Sequence, residues 1–147
     1  MIQANELRIG NYILSNNNEW VKVESILSST MRIYAHYGGD DEEEYLADFS
    51  QNDLSPIPLT TEILENCGFE KRERMSDRWA FLEGYYSLPI IGRSIVVGFD
   101  NGKCKLFHYL ESFMGNSIDE LCELTSLHHF QNAVHALTGE DLPMNLK

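Results

Sequence analysis

The chain carries five histidines, and two of them have a spacing that suggests chemistry. His128 and His135 lie seven residues apart, two turns of a helix, and so share one helical face. With His129 beside them and His108 from elsewhere in the chain, they could hold a metal ion. Zinc sites on helices use closer pairs, however, and no Asp, Glu or Cys stands at ligand spacing inside this segment. The plainer reading of the same histidines is capping, surface exposure or contact with a partner. No cofactor is therefore expected, and His108, His128 and His135 stand as the candidate metal ligands.

Cysteine is the other potential nucleophile. Cys67 precedes Gly68 at an expected helix C-terminus, where the helix dipole disfavours a thiolate. Cys104 is flanked by Lys103 and Lys105, but strand alternation sends those lysines to the opposite face, which makes Cys104 a core thiol. Three cysteines without a C-x-x-C pair do not form a disulfide framework and point to a reducing compartment. No phosphate loop, nucleophile elbow or dinucleotide fingerprint occurs. No catalytic residue is assigned.

Two further groups suit binding rather than catalysis. Asp40, Asp41, Glu42, Glu43 and Glu44 would attract a cation or a basic partner, but they lack the alternating spacing and the glycine of an EF-hand loop. Their plainer reading is a solvated loop between strands. The aromatics Trp20, Tyr34, Tyr37, Tyr45, Tyr85 and Tyr86 would either line a recognition groove or fill the core. Trp20 and Tyr34, with Asp40 to Glu44, form the candidate interaction surface. Tyr85 and Tyr86 must point to opposite faces of a strand, so one of the two is expected to be exposed.

The elements that must position these residues are short strands first and helices later. Leu7–Leu14, Trp20–Ile26, Met31–Tyr37 and Tyr45–Phe49 read as strands, separated by turn-forming residues such as Asn16 to Asn18. In the second of them, Val21 and Val23 facing inward would turn Trp20 outward. Leu54 to Pro58 is extended, because a residue before proline avoids the helical region. Thr60 or Thr61 caps a short helix containing Ile63, Leu64 and Cys67, which Gly68 ends.

Beyond it, Phe69–Met75 and Arg78–Leu82 read as strands. Ser94–Phe99 and Lys103–Tyr109 form a hairpin, since Asn101-Gly102 supplies the positive φ angles of a tight turn. Ser117–Leu124 fits either a helix or an edge strand. In the last segment Thr125 or Ser126 caps a helix, Leu127, Phe130, Val134 and Leu137 recur at helical spacing, and Gly139 terminates it. Gln131-Asn132 places two amides mid-helix, one of which is expected to tie the helix to a strand backbone.

Composition bounds the partners. The chain of 147 residues has 11 Lys and Arg against 23 Asp and Glu, a net charge of −12. That charge opposes direct binding to the nucleic-acid backbone and to an anionic membrane, because both depend on Lys and Arg. No apolar run approaches a membrane span. The first residues have neither the charge nor the apolar stretch of a signal peptide, so the cytoplasm is the expected location.

Three segments, taken in order, carry a resemblance. They are Ala4-Asn5-Glu6-Leu7-Arg8-Ile9-Gly10-Asn11-Tyr12-Ile13, Leu54 to Thr60 running on to Cys67-Gly68-Phe69, and Leu127 to Leu142. Together they resemble a group of short proteins from gut Bacteroidetes and their phages or mobile elements. The resemblance implies a cytoplasmic protein linked to a mobile element, and it implies no activity. The Gly10-Asn11-Tyr12-Ile13 step is also similar to the opening strand of SH3-like barrels.

The fold class expected is α+β, mainly β. Residues 1–58 would form an SH3-like barrel or meander, and residues 59–147 a small α/β part with an antiparallel sheet, a short helix and a C-terminal helix packed on that sheet. The function expected is a non-enzymatic interaction module whose partner is another protein, with phage or mobile-element accessory roles in view. Alternatives are an acidic blocker of a nucleic-acid-binding protein and a metal-dependent enzyme using the histidines.

Overall fold

A computed structural model of the chain describes residues 2–27, 32–37, 46–72, 85–90, 93–110 and 117–144. The chain forms two compact units. One is Met1–Pro58 with Ser126–Asp141, the other Leu59–Thr125 with Leu142–Lys147. The chain passes from the first unit to the second after Pro58, returns to the first for Ser126–Asp141 and ends in the second.

The first unit opens with a single 3-10 turn, Ala4–Glu6, followed by strands β1 (Tyr12–Ser15), β2 (Trp20–Leu27), β3 (Arg32–Tyr37), β4 (Leu46–Ser50) and β5 (Leu54–Ser55). They form one antiparallel sheet in the order β4-β3-β2-β1-β5. Alternation sets the buried face. Val21 and Val23 are fully buried, whereas Lys22 between them is exposed. Ile13, Ile33, Phe49 and Leu54 join them in one apolar cluster with Ile2 and Leu7. The first four strands follow one another as neighbours, which is a meander. The sheet is open, so of the two expected forms, barrel or meander, the structure has the meander: β4 and β5 stand at opposite edges, and β5 has only two residues with which to pair.

The edge that a barrel would have closed is met by a helix. Helix α2 (Leu127–Thr138) begins at Ser126, whose hydroxyl accepts from the His129 N–H, and ends at Gly139 in the left-handed region at φ 76°. Leu127, Phe130 and Val134 are buried, as their spacing predicts, but Leu137 is 40% exposed. The sequence reading packs this helix on the second sheet, whereas the structure places it in the first unit. The reason is visible at Gln131. Its Oε1 accepts from the Tyr12 N–H at 2.8 Å, and its Nε2 donates to the Gly10 carbonyl at 3.3 Å. A side-chain amide thus takes the place of a neighbouring strand where β1 extends past its short pairing with β5.

Asn132 and Asn11 complete this polar seam. Asn132 donates to the Glu6 carbonyl at 2.8 Å and its Oδ1 accepts from Asn11 Nδ2 at 3.0 Å. Asn11 is fully buried, and its own Oδ1 accepts from the Arg8 N–H at 2.7 Å. Gln131→Ala removes both bonds to the strand backbone and should cost about 2 kcal/mol, the scale for leaving part-buried polar groups unpaired. Urea denaturation measures it. Gln131→Leu should lose a similar amount, and a Leu variant as stable as wild type would show that only volume matters there.

The second unit contains α1 (Thr61–Asn66) and strands β6 (Glu70–Arg72), β7 (Tyr85–Ile90), β8 (Arg93–Asp100), β9 (Lys103–Leu110) and β10 (Ser117–Leu124). Thr60 caps α1, its hydroxyl accepting from the Ile63 N–H at 3.3 Å, and Gly68 follows at φ 81°. The sheet is antiparallel in the order β10-β9-β8-β7-β6. The β8–β9 hairpin turns through Asn101 at φ 50° and Gly102 at φ 76°, as the Asn-Gly pair predicts. Of the expected strands over 69–75 and 78–82, β6 covers 70–72, Phe69 precedes it as a buried residue, and 73–75 and 78–82 lie outside the described residues.

Ile95, Val96 and Val97 are each at most 3% exposed. Three consecutive buried strand residues require cover on both faces. The same reason corrects the expectation for the tyrosine pair. Tyr85 and Tyr86 are both buried, the first beside Val96 and Phe107, the second edge-on to Phe99. The fold class is α+β, mainly β, built from two antiparallel sheets and two helices. No helix among the described residues is long and apolar enough to cross a membrane.

Candidate functional site

The three histidines singled out by spacing have separate surroundings. His108 lies on β9 of the second unit, opposite Ile95 and Asp119 in register. His135, in the last turn of α2, has its Nδ1 3.1 Å from Asp141 Oδ1, which also meets Arg8 Nη2 at 2.8 Å. The Arg8 bond is the main reason the Asp141 carboxyl sits below the usual carboxylate range. His128 stands at the other end of the same face and is buried. Its Nδ1 lies 3.0 Å from Ser126 Oγ, and its ring meets that of His129 at 4.5 Å between centroids.

The structure does gather a group that could hold a metal, with a different membership. Among the described residues, one potential ligand atom each from Glu6, His128 and His129 lies within 4.8 Å of the others. Two elements make this possible. The first turn of α2 carries both imidazoles, and the 3-10 turn carries Glu6, held against α2 by the bond from Asn132 to the Glu6 carbonyl. Burial pushes the His128 pKa down to about 4, helped by His129 and opposed by the Glu6 carboxylate. His128 is therefore neutral at pH 7, the state in which a ring nitrogen can bind a metal. Sequence spacing missed Glu6, because no periodicity links residues so far apart in the chain. The Gln131-Asn132 amides were the available signal that this part of the helix faces a backbone.

The thiols are poor nucleophiles. Cys67 and Cys104 are buried, and desolvation pushes each pKa up to about 12. Cys122 is exposed, yet its pKa is also raised, by desolvation first and by Glu120 second. All three cysteines are free.

Of the expected interaction surface, Trp20 is half-buried on the face opposite Val21 and Val23, its ring 6.4 Å from that of Tyr12. The side chain of Tyr34 and the run Asp40, Asp41, Glu42, Glu43 and Glu44 lie outside the described residues. A second surface is fully described. β10 is an edge strand, which settles the helix-or-strand alternative for Ser117–Leu124. Six of its eight residues are exposed and only Leu124 is buried. It presents Asp119, Glu120 and Glu123, and its pairing with β9 shifts between Glu120 and Cys122, leaving Leu121 as a bulge residue that is 43% exposed. Lys103 meets Glu123 at 2.8 Å, and Lys105 bridges Asp100 and Glu120 at 3.0 and 3.1 Å.

These features define an α+β protein with an acidic sheet edge and a small imidazole–carboxylate cluster. No protein-family model, curated protein or solved structure matches the chain.

Proposed function

We propose that this protein is a non-enzymatic docking module that takes an extended, basic segment of another protein along the outer edge of β10. The observation that carries the reading is the eight-residue edge strand, unpaired on its outer side among the described residues and exposed along most of its length. Such an edge offers a row of backbone donors and acceptors to an added strand. Asp119 leads in selecting the partner, and Glu120 and Glu123, which meet Lys105 and Lys103, contribute as a basic segment competes for those exposed ion pairs. Two copies of β10 would bring like charges together, which opposes self-pairing, whereas a basic segment meets complementary charge. The bulge at Leu121 adds an apolar contact and restricts pairing to a strand that can follow the bend.

The overall charge of −12 acts in the same direction at longer range. A blocker of a nucleic-acid-binding protein is one case of this chemistry, since surfaces that hold phosphate are themselves basic. The free cysteines accord with a cytoplasmic setting.

A labelled peptide of alternating Lys and Val, titrated at low salt, tests the reading. Binding is expected, weakening as salt is added. The variant Asp119→Asn, Glu120→Gln, Glu123→Gln should bind about fivefold more weakly, at a few tenths of a kcal/mol per exposed charge. Unchanged binding by that variant would contradict the proposal.

A further inference from the structure

We infer that Glu6, His128 and His129 form a binding site for a divalent transition-metal ion of the zinc class. The three potential donors lie within 4.8 Å of one another. In a tetrahedral zinc site with bonds of about 2.0–2.2 Å, donor atoms stand roughly 3.3–3.5 Å apart. The donors must draw together to reach that spacing, and the movement falls chiefly on Glu6 and His129, which are less buried than His128. Two imidazoles and one carboxylate leave a fourth position for water or another ligand, and such a set favours zinc, copper, nickel or cobalt over magnesium and calcium, which prefer oxygen alone.

The surroundings support the donors. Ser126 Oγ lies 3.0 Å from His128 Nδ1 and 3.4 Å from its Nε2, so the hydroxyl holds the nitrogen-bearing edge of this ring, and a ring turn frees one nitrogen for an ion. Ser126 is itself the N-cap of α2 and is buried, so the orienting group is fixed by the helix terminus. Asn132, four residues after His128, donates to the Glu6 carbonyl at 2.8 Å and fixes the 3-10 turn against the same helix. The buried His128 supplies the inner wall, while Glu6 keeps access to solvent, which gives an ion its entry path. The Arg8–Asp141–His135 cluster does not compete, because its carboxylate is already engaged by the guanidinium.

Calorimetric titration of the full chain with Zn²⁺, and visible absorption on adding Co²⁺, tests the site. One ion per chain is expected, with the strong visible band of tetrahedral cobalt. Glu6→Gln and His129→Gln, each checked for a native circular-dichroism spectrum, should weaken binding at least about tenfold, the lower end of what disturbing a metal's ligand shell costs. His108→Gln should bind as wild type does. Absence of both heat and visible band, wild-type affinity in both ligand variants, or an equal loss in His108→Gln would overturn the assignment.

Discussion

Replacing Phe130 by alanine is expected to destabilise the first unit by about 3–5 kcal/mol, the range for emptying an aromatic site in a packed core. Phe130 has no exposed surface and is the largest fully buried side chain among the described residues. It stands on α2, close to the end of the chain, yet α2 belongs to the same unit as β1 to β5. Hydrogen exchange at the amides of β1 and β2 therefore reads its loss directly, even though the residues are more than a hundred positions apart. Leu137→Ala on the same helix, at a side chain already 40% exposed, should change stability by only about 0.5 kcal/mol. If Phe130→Ala leaves exchange in β1 and β2 unaltered, α2 is not part of that core.

The second large effect is a pH dependence set by His128. Desolvation, with a smaller contribution from His129, lowers its pKa from 6.5 to about 4 in the folded protein, against a smaller opposing pull from Glu6. A folded value below the unfolded one means that the unfolded chain binds the proton more readily. The His128 contribution is constant above about pH 6.5, falls as the pH drops toward 4, and levels off below that. The whole change amounts to about 3 kcal/mol. Urea denaturation from pH 7 to pH 4, in buffer containing a chelator, should show wild type losing that much more stability than His128→Gln. Carboxylates remote from His128 contribute alike to both proteins and cancel in the difference, which leaves only the Glu6 interaction beside the burial effect. Parallel pH profiles for the two chains would mean that His128 is not held neutral by burial.

Much of the local structure is legible in residue types and spacing. The buried Val21 and Val23, the Asn101-Gly102 turn, the caps at Thr60 and Ser126 and the terminator Gly139 all follow from local rules that act over a few residues. What local rules leave open is destination. The spacing of Leu127, Phe130 and Val134 tells which face of α2 is buried, not which sheet buries it. The Gln131-Asn132 pair pointed to a strand backbone without naming Gly10 and Tyr12 as its owners.

The misplaced expectations share this origin. The barrel does not close because β5 is two residues long and Gln131 meets the backbone of β1 beyond it. Tyr85 and Tyr86 alternate as a strand must, but the second sheet is covered on both faces at β7 and β8, which alternation cannot reveal. His128 and His135 share a helical face as their spacing says, yet each meets a different carboxylate neighbour, Glu6 near one and Asp141 near the other. At β10, SIDELCEL fits a helix as well as a strand by pattern, and pairing with β9 decides the outcome.

The acidic edge is the centre of the functional account, and amide hydrogen exchange with and without the alternating Lys-Val peptide tests it most directly. Strand addition predicts slowed exchange at the outward-facing amides of Ser117–Leu124, with the β2 amides unchanged. Peptide binding that leaves β10 exchange unaltered, or that protects only other surfaces, would contradict it.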